Sequence, residues 1–251
     1  MFAREGTVGK GSRCAMLCFL VNVRPPEPDE VDLWVFDLGP AAAGSDRRAR
    51  TLLSDEERER MDRVTAPLAR ERRTRARAAT RSILAGYLGE SPERVTLTHD
   101  KHGKPTLIGG AQPAFNLSHS GSLGVLAVTG RVAVGVDVEL LGRHISPALC
   151  ERAFSESERR LLSSEPDSRR PESLLRLWTA KEACAKALGV GLGIDMADVV
   201  IGGTPQTPKL VGALARSWTL ASFSPLPGAV GAVVAAGGPW RARRRAWAER
   251  L

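Results

Sequence analysis

The chain has 251 residues, of which 43% are hydrophobic and 25% charged, values that are ordinary for a globular protein and exclude a collagen-like, coiled-coil or wholly disordered chain. Its formal charge of +8 favours anionic partners, so nucleic acid, acidic lipid, phosphorylated small molecules and acidic proteins all remain open at this point. The sequence holds no apolar run of about eighteen residues, and we therefore expect no membrane span. Four cysteines without a C-x-x-C pair predict a reducing, cytoplasmic location.

The first half of the chain predicts strands and two helices. Residues 1–15 are rich in Gly, Ser and Arg, and we expect a disordered extension there. Ser54 and Glu57 form a capping box, which predicts a helix start, and a longer helix is expected from Pro67 to a stop at Gly89. The predicted strands of this half are 16–22, 31–37, 95–97, 106–108 and 122–129.

The second half repeats this order. Ser155 and Glu158 form a second capping box, 101 residues after the first, and a long helix over 172–188 ends at Gly189, 100 residues after Gly89. The predicted strands are 132–140, 198–201, 217–223 and 229–236. The repeat predicts two similar α+β halves, packed about a pseudo-two-fold axis with a site between them. The expected domains are the extension 1–15, an N-terminal half 16–130, a C-terminal half 131–237 and a basic tail 238–251, helical or disordered.

Two carboxylates share one face of a predicted strand. Asp137 and Glu139 are two residues apart and project to the same side, opposite the alternating valines of 134–138. Adjacent carboxylates repel each other unless a cation joins them, and a hard cation such as Mg²⁺ takes oxygen ligands. A solvated strand face is the alternative explanation.

A lysine interrupts the apolar stripe of the second long helix. Lys181 lies among the leucines and Trp178 of that stripe, where a cation needs an anion, either a carboxylate or a phosphate. Glu182 and Lys186 flank it one turn apart, and a solvent-exposed pair between them is the simpler explanation for those two residues.

Polar residues cluster in two further segments. Gly103-Lys104-Pro105 follows a turn, and 115–120 reads Phe-Asn-Leu-Ser-His-Ser within a predicted loop over 111–121. No phosphate-binding P-loop frame is present. The Asn, Ser and His side chains could bond an anionic oxygen, whereas a polar turn is the plain alternative.

Arginines recur along the first long helix. Arg70, Arg73, Arg77 and Arg81 are three or four residues apart, so they are expected to line one side of the helix. Such a stripe could meet a phosphate, and a solvated basic face is the alternative. Nucleic acid binding would explain the charge, but it would not explain Asp137, Glu139 and Glu182.

These segments together resemble the Sfp-type 4′-phosphopantetheinyl transferases. The motifs are Gly103-Lys104-Pro105, the run from Phe115 to Ser120, Gly135-Val136-Asp137-Val138-Glu139, and Trp178-Thr-Ala-Lys181-Glu182-Ala-Cys-Ala-Lys186. The resemblance implies that family's pseudo-dimeric α+β fold. It also implies transfer of the phosphopantetheine arm of coenzyme A to a serine of an apo acyl or peptidyl carrier protein, a holo-[acyl-carrier-protein] synthase reaction that releases adenosine 3′,5′-bisphosphate.

The resemblance also implies roles for particular residues. Mg²⁺, or alternatively Mn²⁺, would be held by Asp137, Glu139 and Glu182. Glu182 and Lys186 would be catalytic, and Lys181 and Lys186 would meet the pyrophosphate of coenzyme A. The full set expected to bind the co-substrate is Arg73, Arg77, Arg81, Lys101, His102, Gly103, Lys104, Pro105, Asn116, Ser118, His119, Asp137, Trp178, Lys181 and Lys186. The expected partners are the carrier protein and coenzyme A, with neither nucleic acid nor a membrane. The chain is expected to be a monomer, because two halves already supply the interface of a dimer.

Overall fold

The computed structural model describes residues 23–39, 44–190 and 195–247. The predicted extension 1–15, the strand at 16–22 and the last residues of the tail lie outside the described residues. Among the helices of the described part, none is long and apolar enough to cross a membrane.

Both halves contain one strand, three helices and four strands in the same order, and the second half adds a short helix between its last two pairs of strands. The first half consists of β1 (Glu30–Asp37), α1 (Ser45–Thr51), α2 (Asp55–Asp62), α3 (Pro67–Leu88), β2 (Leu97–His99), β3 (Pro105–Leu107), β4 (Ala114–Ser120) and β5 (Leu123–Thr129). The second half consists of β6 (Val134–Leu140), α4 (Pro147–Ala153), α5 (Glu156–Ser163), α6 (Arg170–Leu188), β7 (Ile201–Thr204), β8 (Thr207–Leu210), the short α7 (Leu214–Ser217), β9 (Trp218–Phe223) and β10 (Ala229–Ala236). The predicted α+β class and the repeated order are confirmed, whereas the domain boundaries stay a prediction.

The sheets repeat as well. A last strand, β11 (Arg241–Ala246), follows the second half. The first sheet has the order β11-β1-β5-β4 and the second β6-β10-β9, so β1-β5-β4 and β6-β10-β9 correspond strand for strand. All strand pairs within these two three-stranded units are antiparallel. β2 and β3 form a small hairpin in the first half, and β7 and β8 form its counterpart in the second.

The layers follow from the alternation of apolar residues along the strands. Trp34 and Leu126 belong to a core that includes Ile83 of α3, and α6 packs on the second sheet in the same way. The opposite faces of the two sheets share a third core, in which Leu33 packs with Val136. The order of layers is therefore helix, sheet, sheet, helix, with the two sheets meeting inside the molecule.

Three predictions of secondary structure are wrong. The predicted strand at 198–201 meets the structure only at Ile201, the first residue of β7. The predicted loop over 111–121 is largely strand β4, which pairs with β5 from Ala114 to Ser120. The tail forms β11 (Arg241–Ala246) instead of a helix or a disordered end, and β11 pairs in parallel with β1. Asp32 is fully buried beneath β11 and accepts hydrogen bonds from Arg243 at 2.5 and 2.8 Å, so ion pairs attach the tail to the first sheet.

Gly135 sets the distance between β6 and α6. A Cβ atom at this position would collide with the Ala183 carbonyl oxygen and the Ala187 backbone nitrogen. The backbone of α6 fills the space left by the missing side chain, which brings that helix against the strand bearing Asp137 and Glu139.

We predict that Gly135→Ala lowers the free energy of unfolding by about 1–3 kcal/mol or more, because the colliding atoms belong to backbone and cannot rotate away. Urea titration measures this. Gly238→Ala is the matched control, since a Cβ at Gly238 meets nothing within 4 Å. Equal losses in the two variants would contradict the close approach.

Candidate functional site

Polar side chains of β4 join the two sheets. The Asn116 Oδ1 atom accepts a hydrogen bond from the Val136 amide at 2.8 Å. The Ser118 and Ser120 hydroxyls accept weaker ones from the Val138 amide at 3.4 Å and the Leu140 amide at 3.2 Å. Alternate side chains of β4 thus take the place of a backbone partner along one edge of β6. Asn116 and Ser118 were expected to bind the co-substrate, and in the structure their side chains hold this strand.

The same hydroxyls hold the carboxylates. Ser118 donates to Asp137 Oδ1 at 2.8 Å, and Ser120 donates to Glu139 Oε2 at 2.7 Å. Both carboxylates are 4% exposed, so the alternative of a solvated strand face is wrong. Buried carboxylates require hydrogen bonds or counter-charges, and the serines of β4 supply the first of these.

Lys186 supplies a counter-charge to Asp137. Its Nζ atom lies 2.6 Å from Asp137 Oδ1 and 3.3 Å from the Ser118 hydroxyl. The expected surface pair between Glu182 and Lys186 is therefore replaced by a contact between helix and strand. Asp137 Oδ2 is buried and has no hydrogen-bond partner. Such an atom is costly to bury and marks a position for a further ligand.

Glu182 completes this part of the site. It lies one turn before Lys186 on α6. Burial and the negative charge of Asp137 raise the pKa of Glu182, while Lys186 and Arg143 act in the opposite direction. Two carboxylates from a helix and a strand thus face a common region in which an additional positive charge would be stabilising.

Glu139 is engaged differently from the other two acids. Its Oε1 atom forms an ion pair with Arg143, while Oε2 holds Ser120. The Arg143 guanidinium also lies 5.7 Å above the centre of the Trp178 ring. In the described part of the chain, no group of three His, Cys, Asp or Glu side chains is assembled for a metal ion. Asp137, Glu139 and Glu182 are therefore neighbours but not a ready three-carboxylate site, and Arg143 was missed by the sequence reasoning.

A cleft of about 1100 Å³ adjoins these residues. Of the residues predicted to bind the co-substrate or to be catalytic, those in its lining are His102, Gly103, Lys104, Pro105, Asn116, Trp178, Glu182 and Lys186. The remaining wall comes from Ala185 and Gly189 at the end of α6, from α4 and from the segment 195–197. No motif indicated α4 or the segment 195–197, because they reach the cleft only through the packing of α4 against the 3₁₀ turn at 196–198.

Lys104 has a structural role in this geometry. Its Nζ atom donates to the carbonyl oxygens of Val134 at 2.9 Å and Lys186 at 2.8 Å, linking β6 to the end of α6. Burial lowers the pKa of Lys104. If Lys104 binds the co-substrate as expected, it must do so while its ammonium is hydrogen-bonded to these two carbonyl oxygens. His102 and Gly103 reach the cleft beside it, whereas Lys101 is an exposed residue of the same turn outside the lining.

Lys181 does not reach the cleft, and its expected contact with pyrophosphate is wrong. The side chain is fully buried, and Nζ donates to both oxygens of Glu158 at 2.8 Å and to the Val199 carbonyl at 2.6 Å. Glu158 is the capping-box residue of α5. Of the two anions considered for Lys181, the carboxylate is the one present.

Two of the four arginines of the expected stripe, Arg77 and Arg81, are held inside the fold. Arg81 is 3% exposed, and its Nε atom lies 2.7 Å from Glu57, the capping-box residue of α2. Arg77 lies 3.4 Å from the same carboxylate, and Arg75 is buried against Asp46. Neither Arg77 nor Arg81 lines the cleft, so the phosphate role expected of them is not supported. The Glu57–Arg81 pair repeats the Glu158–Lys181 pair in the other half.

His119 and Arg73 lie together at the end of β4 near α3. The pKa of His119 is lowered by partial burial and by the positive charges of Arg73 and Lys186. The residue nevertheless keeps part of its surface in contact with solvent. A neutral imidazole at neutral pH can both donate and accept a hydrogen bond. Arg73 is exposed, and it is the member of the predicted trio that remains available to an anion.

Comparisons with known proteins agree with the motifs. Residues 133–234 match the 4′-phosphopantetheinyl transferase superfamily. The chain is 37% identical over 218 residues to the 4′-phosphopantetheinyl transferase HetI of Nostoc sp., covering 85% of this chain and 90% of that protein. It is 33% identical over 154 residues to the putative 4′-phosphopantetheinyl transferase slr0495 of Synechocystis sp., covering 60% of this chain and 63% of that protein.

Among solved structures, the holo-[acyl-carrier-protein] synthase of Thermotoga maritima matches with a TM-score of 0.34 and 25% identity, over 42% of this chain and 63% of that one. This structural match is too weak to carry an argument. The extent and identity of the sequence matches carry the assignment, and the chain belongs to the 4′-phosphopantetheinyl transferase superfamily.

We predict that Lys181→Met lowers the free energy of unfolding by about 3–5 kcal/mol, because Glu158 is then left buried without its counter-charge. Lys209→Met removes an exposed lysine and is the matched control, with an expected change near zero. Urea titration compares the two. A Lys181 variant of unchanged stability that binds coenzyme A poorly would restore the pyrophosphate role.

A second prediction concerns pH. Because the folded chain raises the pKa of Glu182, the stability linked to this group is complete below the pKa of the unfolded chain and is lost as the pH rises through the folded value. Glu182→Gln removes that loss. The stability of the wild type relative to this variant should therefore fall as the pH rises above 4.5, the ordinary pKa of a glutamate. Glu156→Gln, at an exposed glutamate, is the control. A flat difference for Glu182→Gln would contradict the burial of its charge.

Proposed function

We propose that the chain transfers the 4′-phosphopantetheine arm of coenzyme A to a serine of an apo acyl or peptidyl carrier protein and releases adenosine 3′,5′-bisphosphate. The observation that carries this proposal is the meeting of Asp137, Glu182 and Lys186 beside a cleft of about 1100 Å³. The pair of similar halves within one chain supports the Sfp-type subclass. HetI and slr0495 carry names that agree with the general reaction.

The residues present fit a divalent cation at two of the three expected ligands. Asp137 Oδ2 is a buried oxygen without a partner, and the pKa of Glu182 is raised by burial and by Asp137. A cation between the two residues would give Asp137 Oδ2 a ligand and would stabilise the charged form of Glu182. Glu139 fits only after its ion pair with Arg143 opens. We therefore assign Asp137 and Glu182 as the principal ligands of Mg²⁺, with Mn²⁺ as an alternative.

When bound, the cation would polarise the pyrophosphate of coenzyme A and offset its negative charge. Lys186 adds a second positive charge at the same place, because its ammonium is held on Asp137 and lines the cleft. An ammonium fixed there stabilises the charge that builds on the departing bisphosphate. Lys186 is thus proposed as the catalytic cation, and Lys181 is not.

Two roles for Glu182 compete. A raised pKa suits a carboxylate that takes the proton of the carrier serine, whereas a cation bound to it would lower that pKa. Asp137 offers one unpartnered oxygen, and Glu139 is held by Arg143 and Ser120, so the cation needs Glu182. We assign Glu182 to the metal and leave the proton to an acceptor outside this pair.

The adenosine phosphates are proposed to lie along the turn at His102-Gly103, which lines the cleft, with contacts from His119 and Arg73, which are exposed outside that lining. Trp178 offers an apolar wall to the same cleft. Arg77 and Arg81 are excluded from this assignment because Glu57 holds them.

Nucleic acid binding is less well supported by the structure than by the net charge of the sequence. The arginine helix α3 does not present a continuous basic face, since Arg75 and Arg81 are each 3% exposed. Carboxylates beside the cleft would also repel phosphates without a metal. We propose a monomeric, cytoplasmic enzyme that meets an acidic carrier protein with its net charge of +8.

The test is mass spectrometry of an apo carrier protein incubated with coenzyme A, Mg²⁺ and this chain. We expect the carrier to gain about 340 Da, the mass of the phosphopantetheine arm. Asp137→Asn and Glu182→Gln should each reduce the rate by about a hundredfold or more, because a ligand charge is lost while shape is kept. Glu156→Gln, far from the cleft lining, should be unaffected.

Excess EDTA should abolish the transfer and added Mg²⁺ should restore it. An unmodified carrier with a folded, coenzyme A-binding enzyme would contradict the proposed reaction. Full activity of either carboxylate variant in EDTA would contradict the metal assignment alone.

A further inference from the structure

Arg143 occupies the side of the acidic cluster that the metal would need. It follows Glu139 by four residues, in the connection between β6 and α4, and its guanidinium forms an ion pair with Glu139 Oε1. Its charge also lowers the pKa of Glu182, which places it close to that carboxylate as well. A positive group of the chain itself therefore sits among Glu139, Glu182 and the face of Trp178.

The two strand carboxylates differ in what satisfies them. Glu139 has both oxygens engaged, one by Arg143 and one by Ser120. Asp137 has one oxygen engaged by Lys186 and Ser118, and the other is buried without a partner. The strand thus offers a divalent cation one open carboxylate oxygen, while the neighbouring carboxylate is already neutralised by an internal cation.

We propose that Arg143 is an internal competitor of the divalent cation for Glu139, so that the cation gains its third carboxylate only when Arg143 is released. This inference rests on the proposed function for the identity of the cation, and it adds a regulation of the same site.

The surroundings of Arg143 allow its side chain to leave the ion pair. Its side chain is 42% exposed, in contrast to the 6% of Glu139, so water can solvate the guanidinium once the pair opens. The preceding Gly142 has a φ of 94°, and the turn at 140–143 is closed by the Arg143 amide donating to the Leu140 carbonyl at 3.2 Å. The side chain can therefore swing out while the backbone of the turn stays in place.

Release of Arg143 also changes the cleft. The guanidinium covers the ring of Trp178, and Trp178 lines the cleft. The movement that frees Glu139 for the cation therefore uncovers an aromatic wall. Binding of the cation and binding of a cleft ligand are thereby coupled, and such coupling acts equally in both directions.

The test is a titration of the full chain with Mn²⁺, without coenzyme A or carrier. The electron paramagnetic resonance signal of free Mn²⁺ measures how much of the ion is bound. Arg143→Gln should bind Mn²⁺ about three- to tenfold more tightly than wild type, a range limited by solvent screening of a half-exposed pair. Arg160→Gln is the matched control, because Arg160 also pairs with a glutamate four residues away, on the exposed surface of α5. It should leave Mn²⁺ affinity unchanged.

A double-mutant cycle separates competition for Glu139 from a general effect of charge. In a Glu139→Gln background, Arg143→Gln should no longer tighten Mn²⁺ binding, because the contested carboxylate is gone. The same gain in both backgrounds would overturn the proposal, since Arg143 would then act only through its long-range charge.

A second outcome would also overturn it. If Arg143→Gln leaves Mn²⁺ affinity unchanged and weakens coenzyme A binding, measured by calorimetry, Arg143 is a ligand of the nucleotide. The Mn²⁺ measurement needs no transfer, so failure of the proposed reaction is seen separately in the carrier mass assay.

Discussion

The arrangement of the site depends on one seam, where side chains of β4 bond the backbone of β6. Asn116, Ser118 and Ser120 each lie 20 residues before the amide that they satisfy, and two of them also hold a carboxylate. A serine hydroxyl accepts from an amide and donates to a carboxylate through the same oxygen atom, which a backbone carbonyl cannot do. The same side chains of the seam therefore join the two sheets and orient the carboxylates of Asp137 and Glu139.

A second constraint acts from the other side. The absence of a side chain at Gly135 lets the backbone of α6 approach β6, and this approach brings Lys186 within 2.6 Å of Asp137. Lys104 ties the same helix and strand together through two carbonyl oxygens. Asp137 is thus fixed from β4 and from α6, and its remaining oxygen is buried without a hydrogen-bond partner.

The two halves use one device for stability and differ in what they add to it. In each half, the capping-box glutamate of a short helix neutralises a buried cation of the long helix, as Glu57–Arg81 and Glu158–Lys181. Removing one partner of such a pair leaves a buried charge, so both cations are structural. In the second half the next residue is Glu182, which lines the cleft. The structural lysine and the site carboxylate are therefore adjacent in sequence and point to different surroundings.

The sequence by itself determined the capped helices, the repeated order of elements and the acidic pair Asp137 and Glu139, because capping and two-residue alternation are local properties. It also carried the motifs that identified the superfamily. Only the tertiary structure decided which charges are free. Lys181 and Arg81 look like phosphate ligands by residue type, yet each meets a glutamate 23 or 24 residues earlier in the chain. Arg143 carries no motif, yet it reaches Glu139 and Trp178 at once. A partner for a buried charge is set by packing between distant elements, and no local pattern of residues specifies it.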